Sequence, residues 1–340
     1  MDNQKNISNM GLFKTASGIT CYQIKKRITR IPNWIQTSKQ VVIMMMLCLG
    51  TKIGYGQQSF SYTQYMNNLT PLNSAYALMD NDGSFNMLAR RQWAGINGAP
   101  TTLFFNGNIP LEKINGSAGL IFENDKFGPE NLTEINAFYA QSVQLGEGNF
   151  LAVSLNLGFK NYVANYSQLD PNDPALTDVR ENKPNLGFGV LYYTKAFYIG
   201  VSVPELTIRN LGQASLLDNN YFRNNYFFTA GITATLSEGF KFKPAALVSY
   251  TRGVPLITDV SGTLVFGDFL GLGLNYRTNH DAALIISTDF SVFHVGYSYQ
   301  FSTSGTTIGS YSNATQEITF GIRFGKRGLH VNTEGAPHVF

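Results

Sequence analysis

Leu151-Ala152-Val153-Ser154-Leu155-Asn156-Leu157-Gly158-Phe159-Lys160 places a large apolar side chain at every second position and a small or polar one between. A repeat of two belongs to a strand, whose successive side chains point to opposite faces. The dyad returns in Leu270, Leu272, Leu274 and Tyr276 against Gly271, Gly273, Asn275 and Arg277. It is found again in Phe293, Val295, Tyr297, Tyr299 and Phe301, and in Ile318, Phe320, Ile322 and Phe324. A sandwich in water would carry Lys and Glu on its outer face. Here the alternate face is mostly Gly, Ser, Asn and Gln, which suits a lumen, while the greasy face suits hydrocarbon.

Composition agrees with that reading. The 340 residues are 44% apolar and only 14% charged, yet the longest apolar run, 41–50, is about half of the ~20 residues that a spanning helix needs. The chain therefore either has no membrane segment or crosses by another structure, and only helices and closed barrels satisfy their backbone groups in lipid. The short run has another meaning: Lys25, Lys26, Arg27, Arg30 and Lys39 precede it, and Gly54 and Gly56 follow it. This is the layout of a secretory leader over 1–56, with cleavage expected before Gln57. Cys21 and Cys48 both fall in that leader, so no disulfide is expected afterwards. Of the 25 Lys and Arg, eight precede Gln57, as does one of the 22 acids, so the remainder carries a net charge of −4. Nothing there recommends nucleic acid as a partner.

From Phe85 onward, short segments rich in Phe, Tyr, Val, Ile and Thr close on Gly, Asn, Asp or Pro. About fourteen can be counted, among them Leu132–Val143, Phe150–Tyr162, Asn185–Tyr193, Phe197–Val203 and Asn224–Thr235, which predicts an all-β transmembrane antiparallel barrel over 84–324. The segment 57–83 is polar and aromatic without alternation, and is expected to plug the lumen. Asn165 to Pro184 and Pro204 to Tyr221 read as long loops, and 325–340 as a tail.

Chemistry is sparse. His280, His294, His330 and His338 are scattered without metal-ligand spacing, so no metal or cofactor is expected. His294 with Ser298, on one strand face, is the one pair that tempts a hydrolase reading, but alternation alone sets any polar pair on the lumen side. Asp80-Asn81-Asp82-Gly83 begins like a calcium loop and lacks the distal Glu. Gly187 with Gly189, and Gly271 with Gly273, have no following helix to make a nucleotide site, and read as lumen positions that leave room for neighbours. No catalytic residue is assigned. The densest local signal is Arg90-Arg91-Gln92-Trp93-Ala94-Gly95-Ile96-Asn97-Gly98-Ala99-Pro100-Thr101-Thr102. Trp93 suits the lipid interface, and Arg90 and Gln92 share the lumen side, where they could hold the plug. Arg90, Arg91, Gln92, Trp93, Tyr76, Asp170 and Asp173 are therefore the candidate plug or partner contacts.

These residues also carry a resemblance. Gln64-Tyr65-Met66, Asn73-Ser74-Ala75-Tyr76-Ala77, Arg91-Gln92-Trp93 through Thr102, Asn124-Asp125-Lys126-Phe127-Gly128-Pro129, Leu169-Asp170-Pro171-Asn172-Asp173-Pro174 and Pro184-Asn185-Leu186-Gly187-Phe188-Gly189 together resemble the PorP/SprF family of outer-membrane proteins of type IX secretion and gliding motility. The likeness spans nearly everything after the leader. It implies a non-enzymatic outer-membrane barrel that helps secrete or anchor a partner protein, an adhesin with its own C-terminal sorting domain, sometimes with a periplasmic peptidoglycan-binding lipoprotein. A pore or hydrophobic-solute transporter is the alternative. Ser74 stands where the family usually has Pro.

Overall fold

The computed structural model describes residues 62–80, 82–207, 223–304 and 314–325. The expected leader with both cysteines, the tail beyond Gly325 and most of the expected 204–221 loop lie outside these residues. The strands are β1 (Gly83–Arg91), β2 (Thr101–Leu111), β3 (Gly116–Phe127), β4 (Glu130–Gly146), β5 (Asn149–Ala164), β6 (Val179–Tyr193), β7 (Phe197–Thr207), β8 (Asn225–Ile232), β9 (Ala234–Ser237), β10 (Phe240–Thr251), β11 (Ile257–Phe266), β12 (Leu270–Arg277), β13 (Asp281–Phe290), β14 (Phe293–Ser302) and β15 (Thr315–Phe324). Each pairs antiparallel with its sequence neighbours, except that β8 and β9 both pair with β10 rather than with each other, and β15 returns to β1, with Gly83 opposite Phe324 and Arg91 opposite Gln316. The sheet closes on itself, with only the four-residue β9 paired on one side, and closure is the condition for a strand to live in lipid.

β8 and β9 are two halves of one staff, so fourteen staves surround the lumen. Pro244 explains the break. Pairing of β10 with β8 stops at Ala245–Gly231 and resumes with β9 at Phe242–Ala234. Between them Pro244 has no N–H to give the ladder, while Thr233 N donates on the other side, to Ala196 O at 2.7 Å next to the β7–β8 pairing. The sequence reading had one strand, Asn224–Thr235. Two further corrections concern length: β6 begins at Val179, which shortens the expected Asn165–Pro184 loop to 165–178, and β7 runs through Pro204 to Thr207. In both places the extra residues continue the pairing of a neighbour already formed, Tyr162 with Glu181 and Asn185 with Thr207.

The alternation of the sequence is the alternation of the wall. On β5 Val153, Leu155, Leu157 and Phe159 are exposed while Ala152, Ser154, Asn156 and Lys160 are buried inward. β12 and β14 repeat the pattern, with Leu272, Leu274, Val295, Tyr297 and Tyr299 outside. At one end the turns are tight: 147–148, 238–239 and 291–292. Gly148 and Gly239 take φ of 72° and 75° there, the left-handed conformation that a two-residue hairpin needs. The opposite end carries the long connections 92–100 and 165–178, and there β7 ends at Thr207 and β14 at Ser302. Short turns on the periplasmic side and long loops outside are the habit of outer-membrane barrels, so the plug enters from the periplasmic end.

Candidate functional site: the plugged lumen and its outer mouth

Residues 62–79 lie inside the barrel, nearly all of them buried. Two short 3-10 turns, Tyr65–Asn67 and Ser74–Leu78, interrupt an otherwise irregular path. Pro71 and the cap formed by Asn73, whose Oδ1 accepts from Ala75 N at 3.1 Å, shape the second turn. A backbone so placed has no ladder to satisfy it, so the wall must supply partners.

Glu317 on β15 supplies most of them at the start of the plug. Its carboxylate accepts from Thr63 N at 2.8 and 2.9 Å and from Gln64 N at 3.3 Å, and Arg90 Nε stands 3.4 Å away. Thr63 Oγ1 donates to Gln300 at 2.9 Å. Gln64 lies over Gly296, where a Cβ would collide with its Oε1, and that oxygen accepts from Thr319 Oγ1 at 3.1 Å. The far end repeats the device. Asn73 lies over Gly189, which has no room for a Cβ, and its Nδ2 donates to Val190 O at 3.0 Å and Val201 O at 3.3 Å. Just before Asn73, Ser202 Oγ donates to Leu72 O at 2.6 Å, and beyond it Tyr193 donates to Leu78 O at 3.3 Å.

Apolar plug residues Tyr65, Met66, Leu69, Leu72, Ala75, Tyr76 and Leu78 pack against Leu88, Phe104, Ile121, Phe138, Leu191, Phe227 and Leu247 of the wall. The lumen thus holds a hydrophobic core, made from inward apolar residues that interrupt the polar face. Tyr65 and Tyr76 place their hydroxyls 3.1 and 2.6 Å from Ser261 and Thr229. Burial, chiefly, pushes the phenols of Tyr62, Tyr65 and Tyr76 well up, so they stay neutral.

Toward the long-loop end the wall turns ionic. Arg277 Nε pairs with Asp259 at 2.7 Å, and Lys160 joins Glu134 at 3.2 Å and also Glu205. With Glu123, Asp125, Asp281 and Glu317 this half of the lumen holds more acid than base.

Of the sequence candidates, Arg90 is buried against Glu317 and Tyr76 is buried in the plug. Arg91 points outward and is exposed at the rim, and Gln92 donates its backbone N–H to Pro100 O at 2.9 Å. Trp93 turns the chain with φ 48°. Asp170 and Asp173 are exposed in the 165–178 loop and accept from Asn172 N and Ala175 N, at 3.0 and 2.9 Å. The structure therefore brings Arg90 and Tyr76 to the plug and leaves the others at the outer mouth. His294 pairs with Asp289 at 2.9 Å, while Ser298 donates to Glu317 at 3.3 Å, so the tempting pair is not joined. Glu317, Asn73 and Gln64 escaped assignment as contacts, although Gln64 and Asn73 open the first two quoted motifs.

The family model described as "Type IX secretion system membrane protein PorP/SprF" matches residues 54–322. No curated protein matches the chain. Among solved structures, a Pseudomonas aeruginosa FadL homologue is similar at 10% identity, with 77% of this chain and 94% of that one covered and a TM-score of 0.44. The Pseudomonas putida toluene transporter TodX is similar at 11% identity, 79% and 95% coverage and a TM-score of 0.40. BamA from Haemophilus ducreyi is similar at 10% identity, 72% and 70% coverage and a TM-score of 0.40.

Proposed function

The chain belongs to the PorP/SprF family of type IX secretion system membrane proteins, an outer-membrane β-barrel, and from that premise we propose that it helps deliver or anchor a secreted partner protein at the cell surface. It does so without catalysis, by binding. The partner, an adhesin bearing a C-terminal sorting domain, sits on the outer mouth among the long loops, where Arg91, Trp93, Asp170 and Asp173 are placed. A periplasmic peptidoglycan-binding lipoprotein fits the opposite end, beside the short turns.

The observation that carries this reading is the plug itself. Residues 62–79 fill the lumen with both hydrogen bonds and an apolar core, a poor arrangement for passing solutes and a good one for a rigid platform. A deletion strain tests the reading. Surface retention of type IX cargo, scored by protease shaving and mass spectrometry, is expected to fall and to be restored by the wild-type gene. A variant shortened within residues 166–177 is expected to insert normally and not restore it. Full rescue by the shortened variant, at the same barrel abundance, counts against the loops as the seat of the partner.

A further inference from the structure

Glu123 on β3 and Glu134 on β4 stand directly opposite each other in the strand register, both facing inward. Like charges so placed are unfavourable on a sheet face, and these are 6% and 2% exposed. Glu134 is fully served. Lys160 Nζ takes one oxygen at 3.2 Å and bridges on to Glu205, while Asn185 Nδ2, at 2.9 Å, and Asn136 Nδ2 donate to the other. Glu123 is not: no hydrogen-bond donor or ion-pair partner serves it among the described residues, and its other cross-strand neighbour is Phe104.

The asparagines give an independent mark. Asn185 points its amide nitrogen at Glu134, and Asn156 gives its own to Pro204 O at 3.2 Å. Their Oδ1 atoms are thereby fixed as acceptors, and both are buried without a donor. Among the described residues Glu123, Glu134 and Glu205 face Lys160, while Lys183, its cross-strand neighbour, lies 3.9 Å from Glu181, so acceptors outnumber the cations paired with them. An unneutralised buried carboxylate is costly, and what is missing is a cation rich in N–H groups.

Resting on the reading of the outer mouth given above, we propose that this inward carboxylate cluster receives the ammonium or guanidinium head of a Lys or Arg side chain, presented by a polypeptide entering from the long-loop end. Leu132, Tyr162 and Ala164 cluster on that side of the carboxylates, an apolar collar suited to the aliphatic stem of such a residue, whose charged head continues inward. A metal ion fits less well: among the described residues no trio of His, Cys, Asp and Glu is placed to hold one.

The test uses the full chain in detergent micelles and reads the thermal midpoint of its heat-modifiable gel mobility. Nα-acetyl-lysine amide and Nα-acetyl-arginine amide, at millimolar concentration, are expected to raise the midpoint by several degrees. The Nα,Nε-diacetyl-lysine amide, with the same stem and no charge, is expected to leave it unchanged. Glu123→Gln removes the facing charge, so this variant should be at least as stable as wild type and should lose the response. The proposal is overturned if neither cation shifts wild type, if Glu123→Gln responds equally, or if calcium chloride alone reproduces the shift. Failure here leaves the surface-retention experiment free to succeed, and a normal midpoint response combined with full rescue by the shortened loop would retire the mouth reading alone.

Discussion

The two faces of one strand obey different physics in this barrel. On β12, Leu272 and Leu274 are exposed to the surroundings and Gly273 and Asn275 are turned inward, and the outer set requires only hydrocarbon for its company. Any large apolar residue serves there, because lipid has no shape to match. The inner set must match the plug, group by group: Gly296 under Gln64, Gly189 under Asn73, Glu317 on the N–H groups of Thr63 and Gln64. Outward residues are thus generic and inward ones particular, so substitutions should be tolerated outside and punished inside.

The sharpest way to break that contrast is at Glu317. Glu317→Ala leaves two plug N–H groups and Arg90 without their carboxylate, and removing one partner of a buried charged network costs about 3–5 kcal/mol. The urea midpoint of the folded barrel is expected to drop accordingly, with the plug becoming protease-sensitive before the wall does. A pair of leucines comes next. Leu247, 1% exposed and packed on the plug, is expected to cost about 2–5 kcal/mol when cut to Ala. Leu274→Ala, on the lipid face, should cost well under that in the same titration, and equal losses would erase the distinction between the faces. Asn73→Ala removes the two bonds to Val190 O and Val201 O and the cap on Ala75, a loss of about 1–3 kcal/mol by the usual worth of buried hydrogen bonds, read as faster hydrogen exchange at 72–78.

The smallest effect is a pH dependence. The phenols of Tyr62, Tyr65 and Tyr76 are raised by burial above their ordinary value of 10.0. A group whose folded value is raised contributes stability in full below its unfolded value, and loses it as pH climbs beyond that value. The midpoint should be flat up to about pH 10 and should fall above it, less steeply in Tyr76→Phe.

How much of this could be read from the chain follows the same division. Outward alternation was legible because lipid imposes one rule on every stave, so the barrel, its number of staves and the inward face of Arg90 follow from local pattern alone. The pattern was less able to see Pro244, whose missing N–H splits β8 from β9 only because a particular neighbour lies opposite. The plug was legible as a segment without alternation but not in its contacts: Thr63 meets Glu317 across 254 positions of sequence, and no local period encodes such a meeting. Arg91, grouped with Arg90 by sequence, separates from it because consecutive strand residues face opposite ways, and Gln92 lies just past the end of β1, its backbone N–H on Pro100 O, before the chain turns at Trp93. Asp170 and Asp173 read as partner contacts and are seen accepting from their own loop, a use that short carboxylates share with any Asx turn.

The most direct measurement is planar-bilayer conductance of the full chain set beside Glu317→Ala. A lumen filled by residues 62–79 predicts that wild type adds almost no steady current, and that the variant opens intermittently as the plug loses its hold. A large, stable, ohmic current from wild type would contradict the account, because it would mean that water and ions run where Tyr65, Leu69 and Leu72 are packed.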